Sequence, residues 1–180
     1  MIAEKTPYAA ATEYQRRIQR LLSCISRSVV KVAGGHNYSA PRSSHHLELP
    51  DGQPVALAGA HKLMFNMEPH FRVRRTESQA GLHYVEIVGY RYIVYDSGQR
   101  EVLAYHWHPG PREFVQTPHF HLGSGARVGF DPLVSKTHLP TGYVTFGEII
   151  RVLIRDLSVQ PSRSDWEDVL RRNVEPVPAQ

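Results

Sequence analysis

The segment 82–95, LHYVEIVGYRYIVY, limits most strongly what this chain can fold into. It is dense in β-branched and aromatic residues, which favour a β-strand. The turn sequence DSGQ follows at 96–99, and the segment 101–108 then runs back as a second strand. The sequence therefore predicts an antiparallel hairpin at the centre of the fold, with a further strand beginning near Phe71.

Helical spacing of apolar residues predicts an amphipathic helix from Thr12 to Val32. Thr12 and Gln15 have the spacing of a capping box, and Gly34-Gly35 is a typical stop signal. We therefore expect one long helix before the sheet.

Two more helices are expected after the sheet. Thr145 and Glu148 form a capping-box pattern before an apolar periodic segment, which Pro161 prevents from continuing. Ser164 and Glu167 repeat the pattern before a short helix. The fold class that these elements predict is α+β, an antiparallel sheet packed by an N-terminal amphipathic helix and two C-terminal helices.

Length and composition predict one domain. A chain of 180 residues, 41% of them apolar, is long enough for one core and short for two. We expect a single α+β domain over 1–173, with a long loop at 36–54 and a disordered tail at 174–180.

The compartment and the class of partner are only weakly constrained. Cys24 is the only cysteine, which excludes a disulfide framework, and we find no signal peptide and no membrane span. These features favour a cytoplasmic protein without membrane partners. The net charge of +4 is compatible with an anionic partner such as RNA.

Histidine is the compositional outlier, with 11 residues where roughly 4 would be usual. Two His-x-His pairs stand out: His106 and His108 on the returning strand, and His119 and His121 after Pro118. Strand alternation puts both members of each pair on one face.

Whether the two pairs meet depends on the connection between them. A tight loop at 109–112 would place His108 opposite Glu113 and His119 about 13 Å along the strand from His106. One long loop over 109–118 would instead place His108 opposite His119 and His106 opposite His121. Three prolines in that segment favour the long loop.

Two chemistries suit such a cluster. Neutral imidazoles one residue apart on a strand can ligate zinc, iron, nickel or copper. Histidines can also serve as acid and base in RNA cleavage by the 2′-hydroxyl, with no metal. The string HWHPGPRE matches the His-x-His-x4-Glu spacing of the first cupin motif, which adds Glu113 as a candidate ligand, although the chain shows no second cupin motif.

The Tyr90-Arg91-Tyr92 strand, the turn at 96–98, the returning strand and the element Pro118-His119-Phe120-His121 followed by helices resemble the TumE-type toxins of prokaryotic toxin–antitoxin pairs. The resemblance spans roughly residues 82 to 172. It implies a small α+β protein that acts on RNA and is held in check by a small inhibitory protein partner.

Three functional hypotheses follow. The first is a toxin-like, metal-independent RNA-directed hydrolase without a cofactor, in which the four histidines are acid and base candidates and Arg91 lies near the transition-state charge. In that hypothesis Arg72, Arg74 and Arg75 hold phosphates. The second is a metal-binding protein or metalloenzyme that uses the same histidines as ligands for zinc or another divalent transition metal. The third is a non-catalytic protein-interaction module. The candidate acid, base and ligand residues are His106, His108, His119 and His121.

Overall fold

The computed structural model describes residues 3–39, 44–77, 81–110, 115–126 and 138–175. Helices and strands are α1 (Pro7–Leu22), β1 (Lys31–Ala33), β2 (His45–Glu48), β3 (Val55–Ala56), β4 (Met64–Arg75), β5 (His83–Tyr95), β6 (Glu101–Trp107), β7 (His119–Leu122), β8 (Leu139–Pro140), α2 (Phe146–Arg155) and α3 (Trp166–Arg172). The predicted α+β class is confirmed, with one helix before the sheet and two after it.

The strands form one antiparallel sheet in the order β1-β2-β4-β5-β6-β7-β8, with β3 paired to β4. The predicted hairpin is its centre: β5 and β6 pair from Tyr90 opposite Trp107 to Tyr95 opposite Glu101. The Asp96 carboxylate fixes the turn between them, since it accepts hydrogen bonds from the backbone of Gly98 and Arg100.

All three helices contribute side chains to a core that covers one face of this sheet. Tyr14 of α1 packs edge-on against Phe71 of β4, and Phe146 of α2 stacks on Tyr92 of β5. Directly paired residues share a face, so Tyr105 of β6 lies on this core face with Tyr92. The opposite face carries Glu68, Arg91, His106 and His119, and we call it the histidine face.

The first helix differs in its limits from the prediction. It begins earlier, with the Thr6 hydroxyl accepting from the Ala9 amide, and it ends at Leu22. The chain then returns beside α1 because Gln15 and Gln19 hydrogen-bond the backbone of Ser28 and Val30. The predicted capping box at Thr12 and the stop at 34–35 are therefore wrong, since Thr12 lies inside the helix.

The two C-terminal helices are present, with different starts. The predicted capping box at Thr145 and Glu148 is confirmed, with both reciprocal hydrogen bonds formed. The second predicted box is wrong, because α3 follows Asp165 and its N-terminus receives no side-chain hydrogen bond.

Two segments expected to lack regular structure contribute described residues to the fold. The segment 36–54 is not one long loop, because β2 occupies its middle and pairs with β1 and β4. Leu47 and Leu49 are fully buried there, which explains why the segment joins the sheet. The prediction of a disordered tail from residue 174 is wrong for its first residues, since Glu175 is only 4% exposed. Residues 176–180 lie outside the described residues.

No helix in the described part of the chain has the length and apolar character needed to cross a bilayer.

Candidate functional site

The structure brings the four predicted histidines together on the histidine face of β6 and β7. The ring centroid of His106 lies 5.0 Å from that of His121, 5.8 Å from that of His119 and 5.8 Å from that of His108. The His108 and His119 centroids are 5.4 Å apart. The prediction that both pairs converge is therefore confirmed.

The register that achieves this differs from the predicted one by two residues. His106 is paired with His119, and Ala104 is paired with His121, whereas His106 opposite His121 was expected. The tight-loop alternative is wrong, because β6 continues in register to His106 and β7 begins only after Pro118. A slip of two residues leaves every side chain on its original face, so alternation could not distinguish these registers.

The connection between the pairs is closed by side-chain contacts at its ends. The Gln116 side chain exchanges two hydrogen bonds with the backbone of Gly110, and the Trp107 indole donates to the Gln116 carbonyl. Residues 111–114 lie outside the described residues, so the proposed ligand Glu113 is not placed.

A fifth histidine, His138, joins the cluster from the position just before β8. Since His119 is paired with Pro140, the same register places His138 beside His121, and their ring centroids are 4.5 Å apart. The His138 and His119 centroids are 5.0 Å apart. His138 was not among the predicted candidate residues, although the Pro and Gly of the segment THLPTG at 137–142 suit the end of a short edge strand.

His119 has the surroundings of a metal ligand. Its side chain is 1% exposed, and its Nδ1 lies 2.8 Å from the Thr117 carbonyl oxygen. A carbonyl only accepts, so Nδ1 carries the hydrogen and, in the neutral ring, Nε2 keeps a free lone pair. That Nε2 is buried and has no hydrogen-bond partner among the described residues, and the same holds for Nε2 of His106.

The ligand atoms of His106, His119 and His121 all lie within 4.8 Å of one another. Three nitrogens bound to one tetrahedral ion at about 2.1 Å lie roughly 3.4 Å apart. Small side-chain rotations would therefore bring the three imidazoles onto one ion.

Burial and mutual repulsion keep these imidazoles neutral. Desolvation, followed by the neighbouring histidines, lowers the pKa of His106 to about 3 and that of His121 to about 4. Desolvation also lowers the pKa of His119. Neutral imidazole is the form that binds a metal ion, whereas a general acid must be protonated.

Arg91 lies directly beside this cluster, on β5, which separates the cluster from β4. It is the cross-strand partner of both Glu68 and His106, and its Nη2 donates to the Glu68 carboxylate. The side chain is 51% exposed. Arg91 thus lies next to His106, and its charge is shared with Glu68.

The three predicted phosphate-binding arginines do not form one cationic surface. Arg72 borders a cleft of about 840 Å³, and its Nε is buried without a partner among the described residues. Arg74 is neutralised by an ion pair of 2.7 Å with Glu86. Arg75 lies on the opposite face of the sheet from Arg72 and Arg74, because successive side chains of a strand point to opposite sides.

A second group of possible ligands, which the sequence analysis did not identify, lies across the same face. His46, Glu68 and His70 also place their ligand atoms within 4.8 Å of one another. Glu68, His70 and Arg91 border the cleft, and so does His108. The cleft therefore lies between the two groups.

No family model matches this chain, and no curated protein or solved structure matches it. The functional conclusion consequently depends on the geometry of the site.

Proposed function

We propose that this protein binds a divalent transition-metal ion through His106, His119 and His121. The observation that carries the proposal is the state of His119: its Nδ1 is committed to the Thr117 carbonyl, and its buried Nε2 is left facing no partner in the described residues. Metal-bound histidines commonly donate their second ring nitrogen to a carbonyl or carboxylate, which fixes the tautomer and the ring orientation.

The set of ligands favours a hydrolytic role over a purely structural one. Three protein ligands leave a fourth position for water, as in catalytic zinc sites, and a bound ion lowers the pKa of that water towards 7. The exposed histidines His108 and His138 flank the three ligands and lie within reach of a substrate there.

Metal counting tests the proposal. Untagged protein is loaded with Zn²⁺, dialysed and analysed for zinc per chain. The change His121→Ala should remove one equivalent relative to the wild type, whereas His61→Ala, at an exposed position outside both groups, should remove none. Retention of that equivalent by His121→Ala and by His106→Ala would refute the site.

RNA is the substrate class that the adjoining cleft favours, and a toxin-like RNA-directed hydrolase is our second proposal. Arg72, Arg91 and His108 border the cleft together with Glu68 and Glu86. Arg91 is paired with Glu68, so Arg72, whose buried Nε has no partner among the described residues, is the group that would contact a phosphate. Because the low pKa values of His106 and His121 disfavour a protonated acid, we expect cleavage to depend on metal.

An assay on single-stranded RNA, with and without chelator, separates the two mechanisms. Cleavage that stops on metal removal and returns with Zn²⁺ supports a metalloenzyme, and cleavage that persists supports metal-free acid and base catalysis. RNA affinity should fall as the salt concentration rises. Arg72→Ala should make the slope of log affinity against log salt concentration less negative by about 0.7. Arg75→Ala, on the opposite face, is the matched control and should leave the slope unchanged.

A further inference from the structure

His46, Glu68 and His70 are brought together by the pairing of β2 with β4. His46 and His70 are direct cross-strand partners, and their ring centroids are 5.2 Å apart. Glu68 lies two residues before His70 and so projects from the same face of β4. All three side chains are partly exposed, which leaves them accessible to an ion from solvent.

The Glu68 carboxylate is already oriented by two neighbours. Its Oε1 lies 3.0 Å from Nε2 of His70, and its Oε2 accepts from Arg91. An outer partner of this kind fixes a carboxylate ligand in position. A bound ion would take the place of the proton between His70 and Glu68, so that Nε2 and Oε1 would each bind the metal. The proton would move by exchange with solvent to Nδ1 of His70, and the imidazole would stay neutral.

The chain leaves open space beside this group. Gly89 is the cross-strand partner of His70, and a Cβ added there would lie 2.8 Å from the Trp107 carbonyl oxygen and 3.8 Å from the His70 Cβ. Glycine therefore permits the close approach of β6 at this position. Glu68 and His70 border the cleft of about 840 Å³ at this point.

We infer that His46, Glu68 and His70 form a second binding site for a divalent transition-metal ion, separate from the site at His106, His119 and His121. Two imidazoles and one carboxylate are a ligand set used by catalytic zinc and by non-haem ferrous iron, with positions left open for water or substrate. Glu68 and His70 border the cleft, so a substrate in the cleft would reach an ion that they hold.

The two sites hold separate ions. Glu68, Arg91 and His106 are successive cross-strand partners on three adjacent strands, so Glu68 and His106 lie about 10 Å apart at the usual strand spacing. Ions in a bridged two-metal site are only about 3.5–4 Å apart. Arg91 lies between the two sites, which share no ligand residue.

Zinc stoichiometry of single-site variants tests the inference. Untagged full-length protein is loaded with Zn²⁺, dialysed, and analysed for bound zinc, with Co²⁺ absorption as a second probe. Wild-type protein should bind two equivalents, and the double change His46→Gln and His70→Gln should bind one. The control His36→Gln and His61→Gln, which removes two exposed histidines outside both groups, should bind two.

Two further variants separate this site from the first. His121→Ala should lose the other equivalent, and combining it with His46→Gln and His70→Gln should lose both. Glu68→Gln keeps the shape of the side chain. It should lower the zinc affinity of the second site by more than the roughly 10–100-fold that the loss of an outer partner costs. The inference is overturned if the His46 and His70 variant keeps every equivalent of the wild type, or if all bound zinc is lost in His121→Ala.

Discussion

At the scale of single residues, His119 shows how one backbone contact defines the chemistry of an imidazole. The Thr117 carbonyl fixes the proton on Nδ1, and burial removes solvent from Nε2. His121, two residues further along the same strand, is less buried and faces the small Ala104 across the sheet. We therefore expect the two histidines to contribute differently to stability, although the sequence presents them as an equivalent pair.

We expect His119→Ala to destabilise the metal-free protein by about 2 kcal/mol, because it leaves a cavity and an unpaired Thr117 carbonyl. His121→Ala should cost less than about 1 kcal/mol, as is usual for a partly exposed side chain. Urea unfolding in the presence of chelator measures both values. Equal destabilisation by the two changes would show that His119 is not the buried anchor of the cluster.

The sequence predicted the face of each His-x-His residue but not its neighbours. Alternation along β6 and β7 is a local property and was sufficient to place four imidazoles on one side of the sheet. The place of His138 in the cluster could not be predicted, because the segment 137–142 indicates only a short edge strand, and the strand that it joins depends on the pairing of β8 with β7. The same holds for His46 and His70, which meet only through the pairing of β2 and β4.

At the scale of elements, the β6–β7 pair determines which histidines meet. The pair extends from His106 opposite His119 to Leu103 opposite Leu122. Beyond it, Gly123 approaches β6 so closely that an added Cβ would lie 2.1 Å from the Glu101 carbonyl oxygen. Glycine at this position therefore allows the chain to leave the sheet without displacing β6.

Gly123→Ala should destabilise the protein by about 3 kcal/mol, because the new methyl group would push β7 away from β6. The same displacement should weaken zinc binding at His106, His119 and His121. Gly142→Ala is the matched control, since a Cβ there meets nothing within 4 Å, and it should be nearly neutral. Thermal melts and zinc titrations of both variants provide the measurement. Similar behaviour of the two variants would contradict the close approach at Gly123.

Helix limits were less predictable than strand faces, for a physical reason. The Thr145–Glu148 pattern is a true capping box, but the similar Thr12–Gln15 pattern lies inside α1 because Thr6 and Pro7 begin the helix first. The early end of α1 depends on the contacts of Gln15 and Gln19 with residues 28–30. Those contacts exist only once the chain has turned back.

At the scale of the whole molecule, Glu175 links the carboxy-terminal segment to the core. Its Oε1 accepts from the Gly147 amide at the start of α2, and the neighbouring Val174 carbonyl accepts from Arg17 of α1. Burial raises the pKa of Glu175 to about 7, against an ordinary value of 4.5. The folded protein consequently holds this carboxyl in its neutral form at mildly acidic pH.

The raised pKa predicts a pH dependence of folding. The stability contributed by neutral Glu175 is fully present below pH 4.5 and is lost as pH rises through about 7, because the folded state then retains a proton that the unfolded state has released. Relative to Glu175→Gln, the wild type should lose up to about 3 kcal/mol between pH 4.5 and 8. Urea unfolding of both proteins at several pH values measures this difference, and a constant difference would contradict the buried neutral carboxyl.

The most direct test of the central claim is a crystal structure of the Zn²⁺-loaded protein with anomalous data collected at the zinc absorption edge. We expect an anomalous peak about 2.0–2.1 Å from Nε2 of His119 and from one ring nitrogen each of His106 and His121. The Nδ1 of His119 should still donate to the Thr117 carbonyl. Zinc-loaded crystals without a peak among these three histidines would contradict the proposed metal site.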